Sequence, residues 1–335
     1  MNILNRTRST GITLVELLVA LVLGVFLTMG VATVFLQNKS SYTQDDELAR
    51  MQENARYAMR LISRELALAG LIGYYRLESD TISGTPTITN DCGTNWAVDL
   101  PSPIEFENNV STTPFSSCID AADILTGTDV LVIRRSADDF TVEDGEPNTD
   151  AGLTTAAINA IASSEPNRIY LKKDGLNYSF ITGSSVTTAD TTSGSGVDLW
   201  EYFAKVFYIR PYSDSAGDNI PTLCVESLNS ASSMTSSCYV EGVENLQFEF
   251  GIDTDADGVP NQFKPNPTAA ELADAIAVKV YLLIRSIDPI SGYENNKTYT
   301  LGNTLSTPFQ PAETTNGYFR RVYSTTVMLR NLSDV

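Results

Sequence analysis

The sequence predicts an α+β protein in which one long N-terminal helix, transmembrane and then amphipathic, packs on an antiparallel β-sheet head. Three observations predict it. An apolar run of membrane length follows a short basic leader and extends to about Leu36. Apolar residues then recur at helical spacing as far as Ala69, with no proline before Pro86. Beyond that point strand-like runs alternate with polar, turn-rich spacers, without the strand–helix–strand alternation of a parallel sheet.

Residues 1–11 read as a short basic leader, with Arg6 and Arg8 keeping that end cytoplasmic. Residues 12–36 form the transmembrane half of the helix, and its one charge is Glu16. A carboxylate in such a segment costs roughly 2.5 to 3.5 kcal/mol on insertion scales, so it marks function by default. A cut after Gly11 would give Ile12 a free α-amine, about 6 Å along the helix axis from Glu16. A neighbouring copy displaced by that distance could set its ammonium beside the carboxylate, and a paired charge in a low-dielectric bundle costs far less than an orphan. The plain alternative is a membrane anchor whose glutamate snorkels to the interface. A secretory signal peptide fits less well, because the apolar run is too long and has no small-residue cleavage site at its far end.

Residues 37–70 form the amphipathic half. Leu48, Met51, Ala55, Ala58, Met59, Ile62, Leu66 and Ala69 make one apolar stripe, charged residues from Asp45 to Arg64 fill the other positions, and the helix ends near Gly70 and Gly73. Such a stripe needs a sheet to cover it. Residues 71–335 are then a periplasmic, β-rich head. Its clearest strands are Asp129 to Arg135, Arg168 to Lys173, Leu199 to Arg210, Thr222 to Ser227, Val243 to Ile252, Ile276 to Ser286 and Tyr318 to Asn331. Thr182 to Gly196 and Ser227 to Ser237 read as surface loops, and Asp139 to Ser164 as a boundary between two β subregions.

The formal charge is −19 over 335 residues, more negative still without the leader arginines. That argues against nucleic acid as a partner and against docking of the head on anionic lipid. All four cysteines lie beyond the helix, in a region expected to be oxidising. Of three connectivities, the two sequence-local pairs Cys92–Cys118 and Cys224–Cys238 are favoured, the second stapling a hairpin; free, buried cysteines are the alternative. Histidine is absent. No Ser-His-Asp or Cys-His arrangement can be built, nor a histidine-ligated zinc or haem site. With no phosphate-cradling GxxxxGK[ST] or GxGxxG either, the chain reads as no enzyme and as requiring no cofactor.

One further cluster could hold a metal. Asp253, Asp255 and Asp257 stand at alternate positions before Gly258, as in calcium loops, with Val259 able to offer a carbonyl and Asn261 a side-chain oxygen. Lys264 stands where such loops place a bidentate glutamate, which fits a weak extracellular type of site at most. A solvated acidic turn is the alternative.

Gly11-Ile12-Thr13-Leu14-Val15-Glu16, behind a basic leader and ahead of the apolar run, resembles the class III signal of type IV pilins and type II secretion pseudopilins, with Ile12 where phenylalanine is usual. Three segments are similar to PilW-type minor pilins and the related J-class pseudopilins: Asp46 to Tyr75, Val240 to Gly258 and Phe319 to Asn331. The resemblance implies a pilin-like fold, cleavage after Gly11 and methylation of Ile12 by prepilin peptidase, and charge pairing through Glu16. It also implies residence in the inner membrane before assembly and in the extracellular pilus after it. The implied partners are other minor pilins, the major pilin, the inner-membrane assembly machinery and a tip adhesin; the implied role is priming of the pilus and a place near its tip. A J-like pseudopilin and a membrane-anchored, calcium-dependent adhesive module are the alternatives.

Overall fold

The computed structural model describes residues 11–73, 82–112, 115–305 and 307–332. The chain forms two compact units, Met1–Ala49 and Arg50–Val335, and helix α1, Leu14–Leu68, contributes to both. The expected helix, Ile12 to about Ala69, is thus present to within two residues at its start and one at its end. The leader arginines lie outside the described residues.

From Leu14 to Leu36 the helix presents its large apolar side chains outward. Its hydroxyls are satisfied internally: Thr28 donates to the carbonyls of Gly24 and Val25, and Thr33 to that of Gly30. Such back-bonding leaves neither hydroxyl demanding water, and α1 is the one helix among the described residues long and apolar enough to cross a membrane.

The second unit contains thirteen strands among the described residues, in two antiparallel sheets. The larger sheet comprises β1 (Ile104–Glu107), β2 (Val130–Ser136), β3 (Val142–Glu143), β4 (Glu146–Pro147), β5 (Ile169–Asp174), β6 (Asn177–Thr182), β7 (Val197–Arg210), β8 (Thr222–Leu228) and β9 (Met234–Glu241). The smaller has the order β11 (Gln262–Lys264), β10 (Val243–Ile252), β12 (Ala275–Arg285), β13 (Arg320–Met328). Strand β7 organises the larger sheet: fourteen residues without glycine or proline, rich in aromatic and β-branched side chains, favour one long strand. Its first half pairs with β3 and β5 and its second half with β2 and β8.

The predicted strands all occur, their ends within three residues of those expected and those of Val243–Ile252 unchanged. Two expectations are corrected. Ser227 to Ser237 is not all loop, because β9 begins at Met234 and pairs with β8. Asp139 to Ser164 does not divide two β regions: Val142 pairs with Leu199 of β7, so this segment, with short helices α2 (Thr155–Asn159) and α3 (Ile161–Ser164), belongs to the larger sheet. The division falls at Gly242 instead. Its N–H donates to Pro221 and its carbonyl accepts from Arg285, so one residue is tied to both sheets. Its φ of 80° and an Arg285 oxygen 2.6 Å from where a Cβ would sit admit only glycine.

Two layers cover the larger sheet. On one face β2 and β7 meet the helical stretch that follows Arg50, where Met51, Ala55, Ala58, Ile62, Leu66 and Ala69 are buried. A buried ionic cluster fixes the helix there. Glu65 accepts from Arg135 of β2 at 2.8 and 3.1 Å and from Lys205 of β7 at 2.7 Å. Burial opposes ionisation of Glu65, but the two cations outweigh it and hold its carboxyl below the usual range. The opposite face packs under residues 88–124, closed by the Cys92–Cys118 disulfide. Cys224 and Cys238, directly opposed on β8 and β9, form the second disulfide, so both favoured pairs are present.

The sheets are joined by a carboxylate as well as by Gly242. Asp129, fully buried, accepts from the backbone N–H of Asn109 and of Phe248 on β10, while its own N–H donates to Leu246. Burial pushes its carboxyl up to about 8 despite these donors. Phe106 of β1 packs edge-on against Phe248 and Phe250, extending the shared core.

Candidate functional site

The start of α1 is built by a short polar exchange. Thr13 stands just before the first helical residue and Glu16 three positions on. The Thr13 N–H and hydroxyl both donate to Glu16 Oε2 at 2.9 Å, and the Glu16 N–H donates back to the Thr13 hydroxyl at 3.3 Å. This reciprocal arrangement is a capping box, which satisfies helix-end N–H groups that would otherwise lack partners. The carboxylate also sits at the positive end of the helix dipole. Oε1 has no partner among the described residues and remains open to a cation.

Gly11 and Ile12 lie ahead of the helix, outside its hydrogen-bond ladder, and both are exposed; nothing approaches within 4 Å of where a Gly11 side chain would be. The Gly11–Ile12 bond is therefore presented as an unprotected peptide, and an amine created there would be separated from Glu16 only by the residues of the cap. The part of Thr13 was missed by sequence reasoning, although its signal was present: threonine followed three residues later by glutamate, before an apolar run, is the capping-box pattern.

The acidic loop joins β10 to β11. Asp253, Asp255 and Asp257 each present a carboxylate oxygen within 4.8 Å of the others. Asp253 accepts from Ala256 and Gly258 at 2.8 Å and from Asp255 at 3.2 Å, and Asp257 accepts from Val259 at 2.8 Å. What burial there is opposes ionisation of Asp253, but the amides of Gly258, Asp255 and Ala256 hold it below the usual carboxylate range. The Asn261 side-chain oxygen accepts from the Thr254 N–H and hydroxyl, while its amide donates to Asp255. The loop thus gathers three carboxylates but turns the Asn261 oxygen to Thr254. An all-oxygen donor set suits a hard cation such as calcium, which would have to share both Asp253 oxygens with backbone amides.

Residues 206–331 match the family model of Type IV Pilus-assembly protein W. The matched stretch begins within β7 and runs past the end of β13. It contains two of the three segments that carried the resemblance, those around β10 and β13; the helical one lies outside it. A type IV-like pilin from Thermus thermophilus aligns over 85% of this chain and 97% of its own at 11% identity, with a TM-score of 0.36, a likeness too loose to carry an argument. Among curated proteins no relative matches. The likeness expected from the sequence is therefore met over residues 206–331, where this chain carries the pattern of Type IV Pilus-assembly protein W.

Proposed function

We propose that this chain is a minor pilin that primes type IV pilus assembly with other minor pilins and stays near the pilus tip. The observation that carries the reading is the conjunction of the PilW match over residues 206–331 with an apolar helix that begins on an exposed Gly11–Ile12 bond and a half-engaged Glu16. Prepilin peptidase cuts after Gly11 and methylates Ile12. The Glu16 carboxylate, held toward the helix start by Thr13, then takes a neighbour's Ile12 ammonium on its open oxygen. The head docks other minor pilins, the major pilin or a tip adhesin, and the chain acts as a structural subunit rather than a catalyst. On the same reading the Asp253 to Asp257 loop is a weak calcium loop that assembly does not require.

Intact-mass and N-terminal analysis of membrane-extracted protein, with and without prepilin peptidase, tests this directly. A chain that begins at methylated Ile12 only when the peptidase is present agrees with the reading, whereas an uncut chain in both strains makes it a plain anchored protein. A J-class pseudopilin would mature identically. Loss of pili on deletion, with secretion intact, separates the two.

A further inference from the structure

On the face of the larger sheet that packs under residues 88–124 lies a carboxylate that nothing among the described residues answers. Glu226 lies on β8, opposite Val206 of β7 and Ser236 of β9, and shares its face with Cys224 and Leu228. It is 2% exposed. Among the described residues no hydrogen-bond donor or cation reaches it, and burial alone pushes its carboxyl up to about 7. Elsewhere the chain answers its buried carboxylates: Glu65 has Arg135 and Lys205, Asp198 has Lys173, Glu249 has Tyr281 and the Asn303 N–H. Glu226 departs from that rule: its residue is buried, yet its carboxylate oxygens open onto a cavity instead of meeting a partner.

Nor is it sealed in. Glu226 lines a cavity of about 310 Å³ together with Tyr208, Ser236, Asp123, Asp120 and Ser116. No lysine or arginine lines it among the described residues. The Tyr208 and Ser236 hydroxyls are bonded to each other, which leaves oxygen lone pairs beside the carboxylate. We propose that this cavity receives a primary ammonium group, with Glu226 as its counter-charge and the Tyr208 and Ser236 hydroxyls as further acceptors. An ammonium brings three N–H donors and no acceptor, which matches one carboxylate and two hydroxyl oxygens. A chelated divalent cation fits less well, because the three carboxylates here do not converge as those of Asp253, Asp255 and Asp257 do. Two sources carry this chemistry, a free amine and a lysine side chain of another subunit.

The test is saturation-transfer NMR on the full-length protein in detergent, titrated with n-butylamine, with Nα-acetyl-lysine methylamide, and with the norleucine analogue that lacks the ammonium. The expected result is saturable binding of the amines but not of the norleucine analogue, weakened at least tenfold by Glu226→Gln. Tighter binding of the lysine probe than of butylamine assigns the site to a side chain, and equal binding assigns it to a free amine. A second variant guards against misfolding of the first: Ser116→Lys, at an exposed position on the cavity wall, should supply its own ammonium and exclude both probes. Binding that survives in both variants, amines that bind no better than norleucine, or probes displaced by millimolar calcium would overturn the proposal.

Discussion

Two stretches of one helix treat their apolar side chains in opposite ways. From Leu14 to Leu36 the large apolar side chains are 45 to 80% exposed, whereas Met51, Ala55, Ala58, Ile62, Leu66 and Ala69 are 3% exposed or less. Backbone geometry is the same in both. Burying a large apolar side chain is worth about 1.5–3 kcal/mol, so the first stretch forgoes that gain at every turn while the second realises it against β2 and β7. The difference teaches where each stretch finds its partner. The second is completed by its own chain, and the first must find its apolar partner outside it.

The comparison can be broken most severely at its ionic anchor. Glu65→Ala strands Arg135 and Lys205 at the helix–sheet contact and should cost about 3–5 kcal/mol, the usual penalty for breaking a buried pair, read by denaturant unfolding in detergent. Because the folded carboxyl lies below its unfolded value of 4.5, its stabilisation is fully present above that pH and is lost as pH falls through the folded value. The gap between wild type and Glu65→Gln should therefore close in acid. Ile62→Ala, in the completed stretch, should cost about 2–5 kcal/mol through a cavity. Its counterpart in the open stretch, Val22→Ala, should leave head stability unchanged, and a comparable loss there would erase the distinction between the two stretches. Replacing Cys224 and Cys238 together by serine should cost about 3 kcal/mol, as expected for a loop of that length. The smallest effect expected is that of calcium: millimolar additions should shift the unfolding midpoint by a degree or two at most, and Asp255→Asn should remove the shift.

Much of this was legible because it was written in periodicity. The 3.6-residue stripe from Met51 to Ala69 and the aromatic and β-branched runs of β7, β10 and β12 declare themselves before any contact is known. What was not legible depends on pairing across distance. Met234 to Glu241 is polar and serine-rich, and it becomes a strand only because β8 lies beside it and a disulfide crosses between them. Gly242 reads as one glycine among 21, yet its bonds to Pro221 and Arg285 make it the hinge of the two sheets. Glu65 could have been suspected, since a charge adjoining an apolar stripe asks for a partner, but Arg135 and Lys205 lie 70 and 140 residues away. At the helix start the residues themselves were visible. The cap that turns Glu16 toward Thr13 is likewise written in their spacing of three residues before an apolar run.

The central claim is that the open stretch is completed by other subunits through Glu16. Quantifying the protein in sheared pili from strains carrying the wild type or Glu16→Ala, with N-terminal processing followed in parallel, tests it most directly. The account predicts that Glu16→Ala is cleaved after Gly11 as efficiently as the wild type and is absent from the pili. Full processing with wild-type incorporation would contradict it.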